Sequence, residues 1–435
     1  MQIHIDEARL LSELQTLATF TSVEPDPSGT AVTRIVFSED DLRARAWLKD
    51  LATAEGFLVR EDAVGNTFIR WPGTAPELAA VATGSHTDAI PHAGMYDGTV
   101  GVLGGLEAMR ALRRSGLQPR RSIELVMFTS EEPTRFGIGC LGSRLLSGTL
   151  DPTRADALRE ANGPRGTNEP RAANEAADTA RTLAQVRTAA GFTGPLSSVL
   201  LPPNHYHAWL ELHIEQGPLL EREAIPIGIV TSIAAPAGYR FTITGFGGHA
   251  GALLMPDRRD ALCAAAELIL SIEKHALATH TIDTVATVGT CDVHPGAVNS
   301  VPSRVILQLD IRDTDPNRRE SVMQAVRRDC EDLRHRRQVT ITEELVNADA
   351  PAQSSPHTLQ LLDQICAEQG IPYKKMVSRA YHDSLFMARI APIAMIFIPC
   401  RNGVSHRPDE YASPADIARG AHILASVLAK LASEE

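Results

Sequence analysis

Leu78-Ala79-Ala80-Val81-Ala82-Thr83-Gly84-Ser85-His86-Thr87-Asp88 is the stretch on which the reading of the fold turns. Its apolar, β-branched first half reads as a buried parallel strand, and it stops in a His and an Asp. A second such run, Ile123 to Phe128, stops in Thr129-Ser130-Glu131-Glu132. Between the two, Val100, Leu103, Leu106, Met109 and Leu112 recur at helical spacing over Thr99 to Arg114. Strand, helix and strand make a βαβ unit, whose polar strand ends gather where α/β sheets bind ligands. Tyr96-Asp97-Gly98, at the helix start, adds a further carboxylate to that edge.

Working outward, Asp40 to Glu55 reads as a helix and Phe57 to Trp71 as two short strands around Val64-Gly65-Asn66. Asp151 to His207 has weak periodicity and reads as mobile surface helices and loops without chemistry of their own. Ala208 to Ile214 is another apolar strand, carrying His213 and followed by Glu215-Gln216-Gly217. The pattern then changes. Tyr239 to Gly245, Thr284 to Val293, Val305 to Ile311 and Val339 to Leu345 read as strands, with helices over Asp257 to His275 and Asn317 to Arg336. That order predicts a ferredoxin-like split βαβ domain inserted into the first. The chain returns with a helix (Thr358 to Gln369), a strand (Ile393 to Pro399) and a closing helix (Pro414 to Leu431). The expected fold class is α/β: a catalytic α/β/α domain with a mostly parallel mixed sheet, plus an α+β lid or dimerisation domain. The expected boundaries are 1–232, 233–346 and 347–435.

Bulk properties exclude several functions. At 435 residues the chain suits two or three domains, at about 150 residues per domain. Its net charge of -11 argues against nucleic acid or an anionic membrane as partner. No apolar run reaches bilayer-spanning length, and the first twenty residues lack the basic start of a signal peptide. Six scattered cysteines with no CxxC exclude a zinc knuckle or disulfide framework and suit reduced thiols in the cytoplasm.

His86, Asp88, Asp97, Glu131, Glu132, His213 and His406 all fall at strand ends or turns on the ligand-binding edge. Imidazole and carboxylate suit divalent ions, and more than three such ligands suit a pair of ions that share a carboxylate. Asp97, in a tight Asp-Gly turn, is the natural bridge. Adjacent glutamates on one strand point apart, so one can ligate while the other stays free as a general base. Gly245-Phe246-Gly247-Gly248 lacks GxGxxG spacing and the acidic ribose ligand, so a dinucleotide site is rejected.

Eight motifs in order, GSHTD, YDG, FTSEEPTRFG, ELHIEQGP, GFGGHAG, HPGAVNSVPS, DIRD and GVSHRPDE, run from residue 84 to residue 410. Together they resemble the hydantoinase/carbamoylase family of dinuclear amidohydrolases, which has the aminoacylase-like metallopeptidase fold. The resemblance implies metal ligation by His86, Asp97, Glu132, His213 and His406, with Asp97 bridging. It implies Glu131 as general base and Asp88 as the carboxylate that orients His86. It implies substrate binding by Gln216, His249, Asn299, Arg312, Tyr381 and His382. Family branches act on N-carbamoyl-L-amino acids, N-carbamoyl-β-alanine, allantoate and ureidoglycolate. FTSEEPTRFGIGCLGSR, SRAYHDSLFMAR and APIAMIFIPCR look most like the ureidoglycolate branch, where Tyr381 stands in place of the usual Gly.

The branch implies two Mn²⁺ per subunit, with Zn²⁺ or Co²⁺ accepting the same ligands, a small ureido-carboxylate substrate, and purine-nitrogen recovery. It also implies a homodimer through the lid domain, His249 and Asn299 reaching the partner's site. His249 in a glycine-rich turn suits an oxyanion donor, and Arg312 offers a fork to a substrate carboxylate. A peptidase or an inactive scaffold on the same fold are the remoter readings.

Overall fold

The structure, a computed structural model, describes residues 2–160 and 180–434. Part of the 151–207 segment therefore lies outside the described residues. Its described parts include short helices, Pro152–Asp156 and Leu183–Ala189, the latter closed by a Thr182/Gln185 capping box. The chain forms two compact units. The first comprises residues 1–231, 353–376 and 382–435; the second comprises 232–352 and 377–381.

In chain order the principal strands are β1 (Leu58–Glu61), β2 (Thr67–Trp71), β3 (Ala80–His86), β4 (Ile123–Phe128), β5 (Tyr206–Ile214) and β6 (Ile227–Ile233). There follow β7 (Ala235–Thr244), β8 (Val285–His294), β9 (Arg304–Asp313) and β10 (Thr340–Ala348). The last three are β11 (Ala352–Gln353), β12 (Tyr373–Ser378) and β13 (Ile393–Ile398).

A nine-stranded mixed sheet, ordered β11-β6-β13-β5-β3-β4-β2-β1 with β12 beside β6, forms the body of the first unit. Its centre, β13-β5-β3-β4, is parallel, and antiparallel strands flank it. β3, β4 and β13 are buried along their whole length, as continuous apolar runs require. Helices Thr99–Arg114 and Pro414–Ala432 pack together and cover one face. Each Leu, Ile or Val fully buried there contributes about 1.5–3 kcal/mol. At Gly84 a Cβ would stand 2.0 Å from the Val126 carbonyl oxygen, so only glycine lets β3 and β4 approach this closely.

The second unit holds a four-stranded antiparallel sheet ordered β8-β9-β7-β10. With helices Ala261–Leu277 and Pro316–Arg337 between its strands in sequence, this is the split βαβ order. Val305, Leu307, Leu309 and Ile311 of β9 point into the core shared with those helices. Asp310 and Arg312, two apart, share the opposite face. Residues 377–381 join this unit because Arg379 donates to the Ile282 carbonyl and to Asp283. All six cysteines are free thiols. No helix among the described residues is long and apolar enough to cross a membrane.

Candidate metal centre

At the carboxyl ends of β3, β4, β5 and β13, the first unit brings together most of the residues singled out from sequence. His213 Nε2 lies 3.1 Å from Asp97 Oδ1, and His86 Nε2 lies 3.8 Å from the same oxygen. His406 Nε2 lies 3.1 Å from Asp97 Oδ2 and 3.2 Å from Glu132 Oε1. Two candidate triads result, His86/Asp97/His213 and Asp97/Glu132/His406, with Asp97 common to both. Glu131 Oε2 sits 3.8 Å from His86 Nε2.

The donor set fits divalent cations for a specific reason. His86 Nδ1 bonds the Asp88 carbonyl oxygen at 3.0 Å, and His213 Nδ1 bonds the Ile214 carbonyl oxygen at 2.9 Å. Each Nδ1 must therefore carry the proton, leaving an Nε2 lone pair turned toward a carboxylate. At His86 a lone pair facing a carboxylate calls for a cation between them, whether a proton or a metal ion, while the His213 Nε2 lone pair also accepts from Gly98 N at 3.3 Å. The charge balance agrees. Burial would lower the His213 pKa, yet the hydrogen bond to the Asp97 carboxylate and its charge push it up to about 9. Asp97 and Glu132 push His406 up to about 11. Burial, with Glu132, Asp383 and Asp97 close by, holds Glu131 well above the usual carboxylate range.

A third grouping, Glu211/His213/His382, lies beneath the first two and reads as packing. The Glu211 oxygens accept from Ser85 Oγ at 2.8 Å and Ser384 Oγ at 2.5 Å, and His213 Nδ1 is already engaged. The His382 ring stands edge-on to His213 at 4.5 Å.

Asp88 differs from its expected role. The short contact to His86 comes from its backbone carbonyl, while its carboxylate stands 3.8 Å from the ring. That carboxylate accepts from Glu131 N at 3.2 Å and Glu132 N at 3.1 Å, so it braces the turn carrying both glutamates. Gln216, expected to meet substrate, donates to Asp97 Oδ2 at 2.9 Å. Gly98 is indispensable here: its φ is 67°, and a Cβ would lie 2.4 Å from His86 Nε2. Four side-chain-bearing residues around the centre also take left-handed backbone: Ser130, Cys140, Gln216 and His406, with φ between 53° and 60°.

Sequence reasoning missed Glu410. Its buried Oε1 accepts from Tyr96 N at 2.9 Å and Asp97 N at 3.0 Å, and its Oε2 accepts from Ser405 Oγ at 2.8 Å. It thus ties the Asp97 turn to the His406 loop across more than three hundred residues. The signal was its place in GVSHRPDE, four residues after His406. Glu410→Gln should weaken metal retention roughly 10–100-fold, the usual loss when a group supporting a ligand is removed; metal titration of the variant measures it.

The remaining predicted residues belong to the second unit. His249 pairs in register with Ser300, and Asn299 precedes Ser300, its carbonyl accepting from Ala250 N at 2.9 Å. His249 Nδ1 accepts from Gly251 N at 3.1 Å, which makes Nε2 the protonated nitrogen of the neutral ring. Arg312 was expected to offer its fork outward. Instead, its Nε and Nη2 grip Asp310 at 2.8 and 3.1 Å, and its guanidinium lies 5.3 Å from the Tyr381 ring. A period-2 neighbour on an open sheet face meets the fork before any ligand does.

Comparison with known proteins settles the lineage. The description of peptidase family M20/M25/M40 matches residues 82–430. The chain belongs to this family. Within M20, the ureidoglycolate hydrolase of Arabidopsis thaliana is 48% identical over 434 residues, covering 99% of this chain and 87% of that protein. The N-carbamoyl-L-amino acid amidohydrolase of Geobacillus stearothermophilus is 37% identical, covering 97% and 98%. The crystal structure of AtUAH in complex with glyoxylate matches at TM-score 0.86 and 46% identity, covering 99% of each chain. AtUAH in complex with (S)-hydroxyglycine matches equally well. The M20 assignment and the hydantoinase/carbamoylase resemblance expected from the motifs agree.

Proposed function

We propose that this chain hydrolyses the ureido C–N bond of (S)-ureidoglycolate, releasing ammonia and carbon dioxide and leaving an amino-hydroxy acid that decays to glyoxylate. The observation that carries the reading is the pair of triads sharing Asp97 with Glu131 beside them. The relatives supply the substrate class: a ureidoglycolate hydrolase at 48% identity, and a related fold bound to glyoxylate or (S)-hydroxyglycine.

In this reading His86, Asp97 and His213 would hold one ion and Asp97, Glu132 and His406 a second, with Mn²⁺ the favoured metal. When bound, such ions lower the pKa of water and polarise a carbonyl, which a weakly electrophilic ureido group needs. Glu131 accepts a proton from the attacking water at its carboxylate and returns it to the departing nitrogen. Asp88 and Glu410 hold the ligand-bearing turns still. His249, through its Nε2–H, is assigned to the developing oxyanion, with Asn299 and Tyr381 assigned to the carboxylate and ureido ends. The same reading includes a homodimer through the second unit, which sedimentation at varied concentration measures.

The test is ammonia release from manganese-reconstituted protein offered (S)-ureidoglycolate, allantoate, N-carbamoyl-β-alanine and N-carbamoyl-L-amino acids. A ureidoglycolate kcat/KM at least about 10²-fold above the rest is expected, since recognition of polar substrate groups discriminates that strongly. The 37% identity to a carbamoyl-amino-acid hydrolase makes that substrate the alternative. Preference for it would overturn the substrate while leaving the centre intact.

A further inference from the structure

We propose that Cys140 is a positioning residue for Glu131, its thiol anchoring one carboxylate oxygen so that the other faces the metal centre. This rests on Glu131 being the general base. Three successive backbone bonds lock the segment 140–142 against 129–131: Cys140 N to Glu131 O at 2.7 Å, Leu141 N to Ser130 O at 2.9 Å and Gly142 N to Thr129 O at 2.9 Å. The Cys140 side chain consequently has a fixed place relative to Glu131, and its Sγ donates to Glu131 Oε1 at 3.4 Å. Glu131 Oε2 is left turned toward His86 Nε2.

Cys140 is fully buried and adopts φ 54°, a conformation that glycine would take with less strain. Behind it, Ser143 Oγ donates to Asp383 Oδ1 at 2.5 Å, and the Cys140 thiol also faces the buried Asp383 carboxylate. Burial, together with Glu131 and Asp383, pushes the thiol well up, so at neutral pH it remains S–H and a donor. A thiol is a weak donor. It restrains the carboxylate's rotation without drawing off its charge, which suits a group that must stay basic. Simple packing would require none of this alignment.

The test is a variant series with kcat, KM, bound manganese and thermal midpoint measured together. Cys140→Ala and Cys140→Gly are each expected to lower kcat about tenfold, within the range that sub-ångström misplacement of a reacting group costs, with KM and metal content unchanged. Glycine relieves the left-handed backbone, so that variant remains foldable if alanine does not. Cys140→Ser, which keeps a donor, is expected to return kcat to within about threefold of the parent. In a Glu131→Gln background, Cys140→Ala should change nothing further, because no base remains to position. Unchanged kcat in the alanine and glycine variants, or a further multiplicative loss in the double variant, would overturn the positioning role. Substantial activity in Glu131→Gln alone would overturn the base assignment, and the positioning role with it.

Discussion

Glu131→Gln is expected to lower kcat by about 10³-fold or more, with KM and bound metal nearly unchanged. General-base contributions run about 10²–10⁴-fold, and this site offers no obvious substitute. Glu132 faces His406 at 3.2 Å, and the Asp88 carboxylate is filled by two backbone N–H groups. Glutamine preserves the side chain's shape and can still accept from the Cys140 thiol, but its amide cannot take a proton from water. The measurement is steady-state kinetics beside elemental analysis of the same preparation. Activity within tenfold of the parent would put the base elsewhere.

Asp97→Asn should be more damaging, because both candidate triads share this residue. One oxygen of Asp97 faces His213 and the other faces His406, so an amide at this position spoils both triads. Bound manganese is expected to fall from about two per chain toward zero, and activity by at least about 10³-fold, since bound ions supply several kcal/mol of transition-state stabilisation. A variant that retained two ions would remove Asp97 from its bridging role. His406→Ala provides the contrast: it breaks only one triad and should leave the His86/Asp97/His213 side measurably occupied.

The parts of this molecule legible in sequence were those in which a single local pattern decides the outcome. Thr99–Arg114 follows from helical spacing alone, and β3 and β4 from dense apolar runs. β6 was missed because Pro226 and Gly228 interrupt its apolar pattern, and pairing with its neighbours β11, β12 and β13 makes a strand of it. Among the candidate site residues, the convergence of the ligand-edge set was readable because strand ends converge by topology. Glu410 was not, since its task is to accept backbone N–H groups contributed by residues 96 and 97. Asp88 was identified with the wrong atom: carbonyl and carboxylate of one residue are equivalent in sequence and distinct in space. Arg312 was over-read for a comparable reason, its fork being satisfied two residues away by Asp310.

The left-handed backbone at Ser130, Cys140, Gln216 and His406 bears on how this protein can be engineered. Each costs on the order of 1 kcal/mol relative to a relaxed conformation, and glycine would recover part of that. A search for thermally hardened variants will therefore be drawn to these four positions. All four lie around the candidate metal centre, where a gain in melting temperature is expected to come at the expense of turnover. Stabilisation without that exchange has to come from elsewhere in the chain, leaving the residues that aim the ligands as they are.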